Sequence, residues 1–520
     1  MITNPAAAMR MLITYVICIP LAVMVGYLLT NPLDFGTLGF LGIVAALILS
    51  PIFIKWHYPI MVFALSSPIM MFFLKGNPPF SQVMVFLSLG IALVERTVSS
   101  ERRFISVPSI TWPLISLLAV VVFTAELTGG IDFHSLSGGD SGVVGGGRKY
   151  LLIFTGIATY FALSSRPIAP QRRRLYLALF YLPGLLVGVS DVFSNLPSPL
   201  SYINLLIPAD IYSSGLSELG QFGTSFKRFA GLAGLASAIL TFMLARYGLR
   251  GMIASGRLWR VGLLAILCFV SLAGGFRSSA INLIATLGLL FLFEGLHRTR
   301  LLPVVLMGLV SLCVLLVPFA GKLPYSIQRS LVFLPLSNLD PQAVLDAQGS
   351  TEWRLNMWSY LWPQVPDHLL LGKGFGLTKD DYMVMGAGNT LAAGAEHFDA
   401  SSAGLAVSSD YHNGPLSTLI PFGIWGAIAF LWLVLAGLRL LYRNYKYGDP
   451  DLKLINRFLL IAWIIHWFNY LFIFGAFQMD IITFATQFGF SVALNGGMRG
   501  PAAEPAFAPR IKPVPSPQTA

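Results

Sequence analysis

The sequence predicts an all-α polytopic membrane protein with about fourteen transmembrane helices (twelve to fourteen) and one long outer loop carrying short helices. Three observations predict it. Hydrophobic residues make up 55% of the 520 positions and charged residues only 11%, where a soluble domain carries about a quarter charged residues. Mean hydropathy is +0.72, and apolar runs of about 20 residues, the length that crosses a bilayer as a helix, recur along the chain. Basic residues gather on alternate connections, which is the orientation signal of a multi-span protein.

The expected spans run in order over residues 9–28, 36–54, 58–74, 80–95, 108–125, 150–165, 175–191, 229–246, 260–274, 279–296, 301–319, 414–438, 458–475 and 480–495. The first reads as a signal anchor rather than a cleavable signal, because Ala6-Ala7-Ala8 precedes its apolar run instead of following it. Cys18, Cys268 and Cys313 all fall inside spans and have no metal-ligand spacing, so they read as packing residues. The segment 496–520, rich in Pro and Ala, reads as a disordered cytoplasmic tail.

Charge distribution sets the orientation. The formal net charge is +11, yet most Lys and Arg fall in clusters such as Arg102-Arg103, Arg172-Arg173-Arg174 and Arg439 to Arg457. An even span count with cytoplasmic N- and C-termini puts these clusters inside, which accounts for the basic balance without a nucleic-acid partner. The exceptions are informative: Arg148, Lys149, Lys227, Arg228, Arg277 and Arg354 fall on or near the outer face.

The polar stretch from about Gly321 to Asn413 separates two groups of spans, and a loop that long is usually functional or disordered. Within it, Ser350 to Val365 is expected to form a helix, with Ser350 or Thr351 as N-cap and Glu352 in the first turn. Arg354 and Trp358, four residues apart, would then share a face on which guanidinium and indole can stack. Residues 383–409, rich in Gly, Ala and Ser, read as a mobile lid.

Arg277, in Gly274-Gly275-Phe276-Arg277-Ser278-Ser279, lies between two apolar spans with almost no loop to spare. An arginine held near the apolar layer usually faces a cavity or a partner, and its fork of donors matches phosphate oxygens. Arg228, with Arg148 and Lys149, could join it in one basic pocket for a diphosphate. A bland alternative is interfacial contact with lipid phosphates. His412 is the general-base candidate: imidazole titrates near neutral pH, and this one sits where loop meets span, with Asp410 and Asn413 near enough to orient it. By itself, a lone histidine at a helix start is more often a cap or interface residue. His397 has a weaker case, and His466, inside a span, reads as a satisfied buried histidine. Asp449-Pro450-Asp451 matches a sugar-transferase metal motif but reads as a turn, and Gly372-Lys373-Gly374-Phe375-Gly376 lacks the Gly-Lys-Ser/Thr of a phosphate loop. No motif for a metal or another cofactor is present.

Several of these residues together resemble a known family: Arg354 and Trp358 in Arg-Leu-Asn-Met-Trp, then Gly372, Gly374 and Gly376, then His412-Asn413 before Leu416, with Phe276-Arg277-Ser278-Ser279-Ala280 and Arg228-Phe229-Ala230-Gly231 upstream. The pattern is similar to the bacterial O-antigen ligase and polysaccharide polymerase superfamily, over about Arg228 to Phe430. The resemblance implies a GT-C-like architecture in the bacterial inner membrane. It also implies a metal-independent, inverting transfer of a glycan from an undecaprenyl-diphosphate carrier to an acceptor hydroxyl on the periplasmic face. His412 would activate the acceptor, which is lipid A core for a ligase or a growing polysaccharide for a polymerase. Arg228, Arg277 and Arg354 would hold the diphosphate, with Trp358, Asn413, Asp410, Arg148 and Lys149 in support. Phe276 stands where relatives often carry a small hydroxyl residue. The expected division is residues 1–226 as N-terminal spans, 227–440 as the ligase-like core with its periplasmic loop 320–413, and 441–495 as C-terminal spans.

Two other readings compete. A lipid-linked saccharide transporter would also need many spans and a basic cavity, but would place ionisable groups near the midplane rather than at the outer face. A transferase using a polyprenyl-monophosphate sugar would need an acidic base in an early outer loop, for which Asp34 is available. Its neighbours Pro32 and Gly36 make a plain turn the simpler reading.

Overall fold

The computed structural model describes residues 35–74, 76–99, 104–128, 146–193, 203–208, 229–254, 256–376, 409 and 411–501, together with 15–16, 18–20, 22–27 and 30. Among the described residues the chain is helical, with no strand and one isolated bridge between Met70 and Pro79. In chain order the helices are α1 (Phe35–Ala64), α2 (Phe80–Val98), α3 (Pro108–Thr128), α4 (Gly146–Ser164), α5 (Arg173–Tyr181), α6 (Leu186–Phe193), α7 (Ala230–Ile253), α8 (Leu258–Ser271), α9 (Arg277–Phe293) and α10 (Leu301–Phe319). The loop segment then supplies α11 (Tyr325–Leu331) and α12 (Pro341–Leu361). The chain returns through α13 (Gly414–Tyr447), α14 (Lys453–Phe472) and α15 (Phe477–Asn495).

This is a polytopic α membrane protein, but the structure does not support about fourteen spans. Among the described residues, six helical stretches have both the length and the hydropathy to cross a bilayer: Leu47–Ala64, Phe80–Val98, Pro108–Thr128, Ala230–Ile253, Gly414–Tyr447 and Pro450–Phe472. Several remaining apolar runs are helical where expected, and others are reshaped for identifiable reasons. The two runs expected at 36–54 and 58–74 merge into α1, kinked at Trp56, and the chain leaves the helix after Ala64. The run expected at 175–191 breaks at Leu182-Pro183-Gly184-Leu185 into a 3-10 turn between α5 and α6, since Pro183 cannot donate a helical hydrogen bond. The run at 9–28 falls largely outside the described residues.

α4 and α15 are interior helices, and their close pairing explains their mixed composition. A Cβ on Gly156 would come within 3.0 Å of the Ile482 backbone nitrogen, and one on Gly489 within 2.8 Å of Leu163. Small residues let the two backbones approach, as in membrane helix pairs generally. Fourteen of the nineteen residues of α15 are buried, so it has little lipid-facing surface to make apolar.

A helix start and a helix break shape the end of the molecule that carries the loop helices. The expected helix start at Ser350 or Thr351 is corrected: α12 begins nine residues earlier, at Pro341, where Asp340 accepts from the Gln342 N–H at 2.9 Å. An Asp cap followed by Pro at the first helical position is a stronger start signal than a serine in an already helical run. The break lies within α13, where Gly423 adopts φ 61°, ψ −163°. The segment after α12 fills it: Lys373 N–H donates to Ile420 O at 2.8 Å, Gly374 N–H to Pro421 O at 2.9 Å, and Ile424 N–H to Leu369 O at 2.7 Å. Backbone groups freed at such depth must find protein partners, because lipid offers none.

Candidate functional site

The glycine pattern at 372–374 has a backbone cause. Gly372 and Gly374 have φ of 76° and 66°. A Cβ on Gly372 would lie 2.2 Å from Pro421 O, and one on Gly374 2.1 Å from Thr128 Oγ1. Phe375 then packs edge-on to Tyr150, whose hydroxyl accepts from the Phe375 N–H at 3.0 Å. These glycines therefore seat the loop in the break of α13, anchoring the start of α13 and the end of α12 relative to one another.

That anchor frames a cavity of about 490 Å³ between α9, α11, α12, the start of α13 and the turn after α14. Its described lining includes Arg277, Arg329, Arg354, His412, Trp353 and Thr351, and no carboxylate. Arg277 stands at the first position of α9, and its Nη1 donates to Thr351 Oγ1 at 2.9 Å. Arg354 Nη1 reaches Ile473 O at 3.4 Å, and Arg329 Nη1 donates to Gly275 O at 2.7 Å. Arg277 is in electrostatic range of both Arg354 and Arg329. Three like charges in a partly desolvated cleft focus a positive field that an anion with several oxygens would neutralise.

His412 is held by its backbone and its ring. Its φ of 50° is unusual for a residue with a side chain, and such outliers cluster where function over-determines the geometry. Tyr411 beside it is buried, and Tyr411 O accepts from Trp358 Nε1 at 3.3 Å. The imidazole sits edge-on between Trp353, with ring centres 5.0 Å apart, and Phe474, at 4.6 Å. Asn413 caps α13, its side-chain oxygen accepting from the Leu416 N–H at 3.0 Å. Asn413 thus has a helix-capping role, one position after the histidine.

The sequence-named residues divide as follows. Arg277, Arg354 and His412 share the cavity, and Trp358 braces the turn that carries His412. Arg148 and Lys149 are not among its described lining: α4 is drawn into the interior, and Lys149 is buried with Nζ 5.3 Å from the centre of the Phe375 ring. Arg228, Asp410, His397 and Asp34 lie outside the described residues. His466 sits 3.0 Å from Asp480 Oδ1, though off the hydrogen-bond axis, and edge-on to Phe484. Asp449 caps a turn and pairs with Arg173 at 2.7 Å, which leaves it a structural role.

Arg329 and Trp353 join the cavity without having been singled out. Arg329 is a basic residue in the same long polar stretch as Arg354. Trp353 lies one residue before Arg354, but a tryptophan at an interface has a ready explanation as a membrane anchor.

No curated protein matches this chain in sequence. Residues 262–431, which include α9, α11, α12, His412 and the first half of α13, match the family model described as O-antigen ligase. That match supports a relationship to the O-antigen ligase and polysaccharide polymerase superfamily over residues 262–431.

Proposed function

We propose that the chain is a bacterial inner-membrane glycosyltransferase that moves a glycan from an undecaprenyl-diphosphate carrier to an acceptor hydroxyl at the periplasmic face. The observation that carries this reading is the joining of Arg277, Arg329, Arg354 and His412 in one cavity without a described carboxylate. In the family context, residues 227–440 are the transfer core and the flanking helices its membrane frame.

The chemistry follows from these side chains. The three guanidinium groups hold the diphosphate and neutralise the charge that develops on its bridging oxygen as the bond to the sugar carbon breaks. The acceptor oxygen forms a bond to that carbon from the opposite face, and the configuration inverts. Its proton passes to His412, which later releases it to water, while the diphosphate departs on its lipid. Trp353 and Phe474 fix the plane of the imidazole, and Trp358 fixes its backbone. The acceptor, whether lipid A core, another glycan or a protein hydroxyl, is set by surfaces beyond this cluster. A ligase acting in O-antigen assembly is the form we favour.

The test separates binding from transfer. Purified full-length protein is titrated with undecaprenyl diphosphate alone, and transfer is measured with the glycosylated carrier. Arg277→Gln and Arg354→Gln should each bind the carrier at least tenfold more weakly, about 1.4 kcal/mol. His412→Ala should bind it as the native protein does and fail to transfer. Unchanged carrier binding in both arginine variants would refute the diphosphate assignment.

A further inference from the structure

A second, larger cleft lies at the end of the molecule away from His412. α3 has its Thr124 end beside the loop, where Thr124 Oγ1 donates to Leu371 O at 3.3 Å. Its other end is a helix of 21 residues away, about 30 Å at 1.5 Å per residue. There α2, α4 and the segment entering α3 enclose about 820 Å³, within the range of about 300–1,000 Å³ typical of sites for small ligands.

The cleft is built for an amphiphile. Leu89, Leu93 and Arg96 follow one another along one stripe of α2, and Phe161 faces them from α4. The apolar part therefore runs down between the helices and ends at a guanidinium. Arg96 is exposed at the mouth and lies over the Phe104 ring at 5.7 Å, the posture of an arginine whose stem covers apolar surface while its head meets the interface. Nearby Arg166 is already committed: it pairs with Glu95 at 2.7 Å and donates to His57 Nε2 at 2.8 Å.

One polar group inside the cleft points independently to a ligand. Tyr160 lines it, is 1% exposed, and its hydroxyl makes no well-aligned hydrogen bond, its contact with Thr111 falling short of one. Its polar neighbour Thr111 donates to the Val107 carbonyl at 3.2 Å. A buried hydroxyl without a partner costs about 1–3 kcal/mol, so a group that completes it is favoured. Basic side chains lie near this end: a Cβ on Gly497 would be 3.5 Å from the cleft residue Ile105, Arg499 follows two residues on, and Arg443 donates to Arg499 O at 2.9 Å, so anionic lipid would be drawn to it.

We propose that this cleft binds one anionic phospholipid from the leaflet on that side. Its phosphate sits at Arg96, an acyl chain lies along Leu89, Leu93 and Phe161, and an ester oxygen reaches Tyr160. The site is separate from the transfer cavity and does not depend on how that cavity is read.

Native mass spectrometry of the full-length protein in detergent, titrated with phosphatidylglycerol, phosphatidylcholine or inorganic phosphate, tests the proposal. The native protein should retain one phosphatidylglycerol in preference to phosphatidylcholine, and inorganic phosphate should not displace it. Arg96→Gln, at an exposed position that folding tolerates, should weaken phosphatidylglycerol about fivefold, the worth of one arginine at a membrane surface. Leu93→Trp should block the cleft and abolish retention. Val310→Trp, on an exposed face of α10, should leave retention unchanged. Equal retention of the two lipids, or displacement by phosphate, would overturn the proposal. So would native-like phosphatidylglycerol binding in both Arg96→Gln and Leu93→Trp.

Discussion

At the scale of single residues, His412 stood out only through the family resemblance, because a lone imidazole at a loop-to-helix junction has an ordinary structural reading as a cap or interface residue. What the sequence could not show was its clamp. Trp353, Trp358 and Phe474 reach it from α12 and from the turn after α14, and no local spacing encodes that meeting. The clamp makes a prediction distinct from the base itself. His412→Ala should lower the transfer rate by about 10²–10⁴-fold, the usual worth of a positioned general base. Trp358→Phe keeps the ring but loses the indole donor to Tyr411 O, worth about 1 kcal/mol. Its kcat should fall severalfold while the KM for the lipid donor barely moves, measured by initial rates on purified protein. An equal rise in KM would mean that Trp358 acts on substrate binding instead. Arg329 was overlooked because it lies outside the Arg-Leu-Asn-Met-Trp stretch. Arg148 and Lys149 were grouped with the pocket on charge alone, which carries no depth information. The pairing of α4 with α15 takes them elsewhere.

At the scale of elements, hydropathy located most helices closely and misjudged where polar ones begin. α12 starts at Asp340-Pro341, and Asp340→Ala should cost about 1 kcal/mol through the lost cap, read as a lower Tm with no change of fold. The break in α13 was legible only in part. Pro421 and Gly423 suggest a kink, but only the folded chain shows Leu369 to Gly374 satisfying the freed backbone groups. The same contact explains Gly372 and Gly374 as steric requirements. Gly372→Ala places a Cβ against Pro421 O at a positive φ, which alone costs about 1–2 kcal/mol before the clash. Its Tm and folded yield should drop sharply. Gly288→Ala, in α9 with open space around it, should be neutral or slightly stabilising. Similar losses in both would show that the loop does not anchor the break.

Across the whole molecule, composition was enough to identify a membrane protein and too coarse to count its spans. Hydropathy cannot separate a helix that faces lipid from one buried among other helices, and it cannot see Pro183 splitting a run. The distribution of charge carries a stronger whole-molecule statement. The cavity of Arg277, Arg354 and His412 lies at one end, and the arginines around Arg172 and Arg443 lie at the other. In a protein with its native cysteines replaced, a cysteine at Leu355 should react with an impermeant reagent added to intact spheroplasts. One at Lys446 should react only after the membrane is opened. The reverse pattern would invert the orientation. The central claim is that this cavity performs the transfer, and a glycan profile tests it most directly. A host strain lacking the chain is restored with the native protein or with His412→Ala at equal membrane abundance, and surface and lipid-linked glycans are resolved by size. Native protein should restore the mature surface glycan, while His412→Ala should leave glycan stranded on undecaprenyl diphosphate, as long chains for a ligase or single units for a polymerase. Full restoration by His412→Ala would contradict the account.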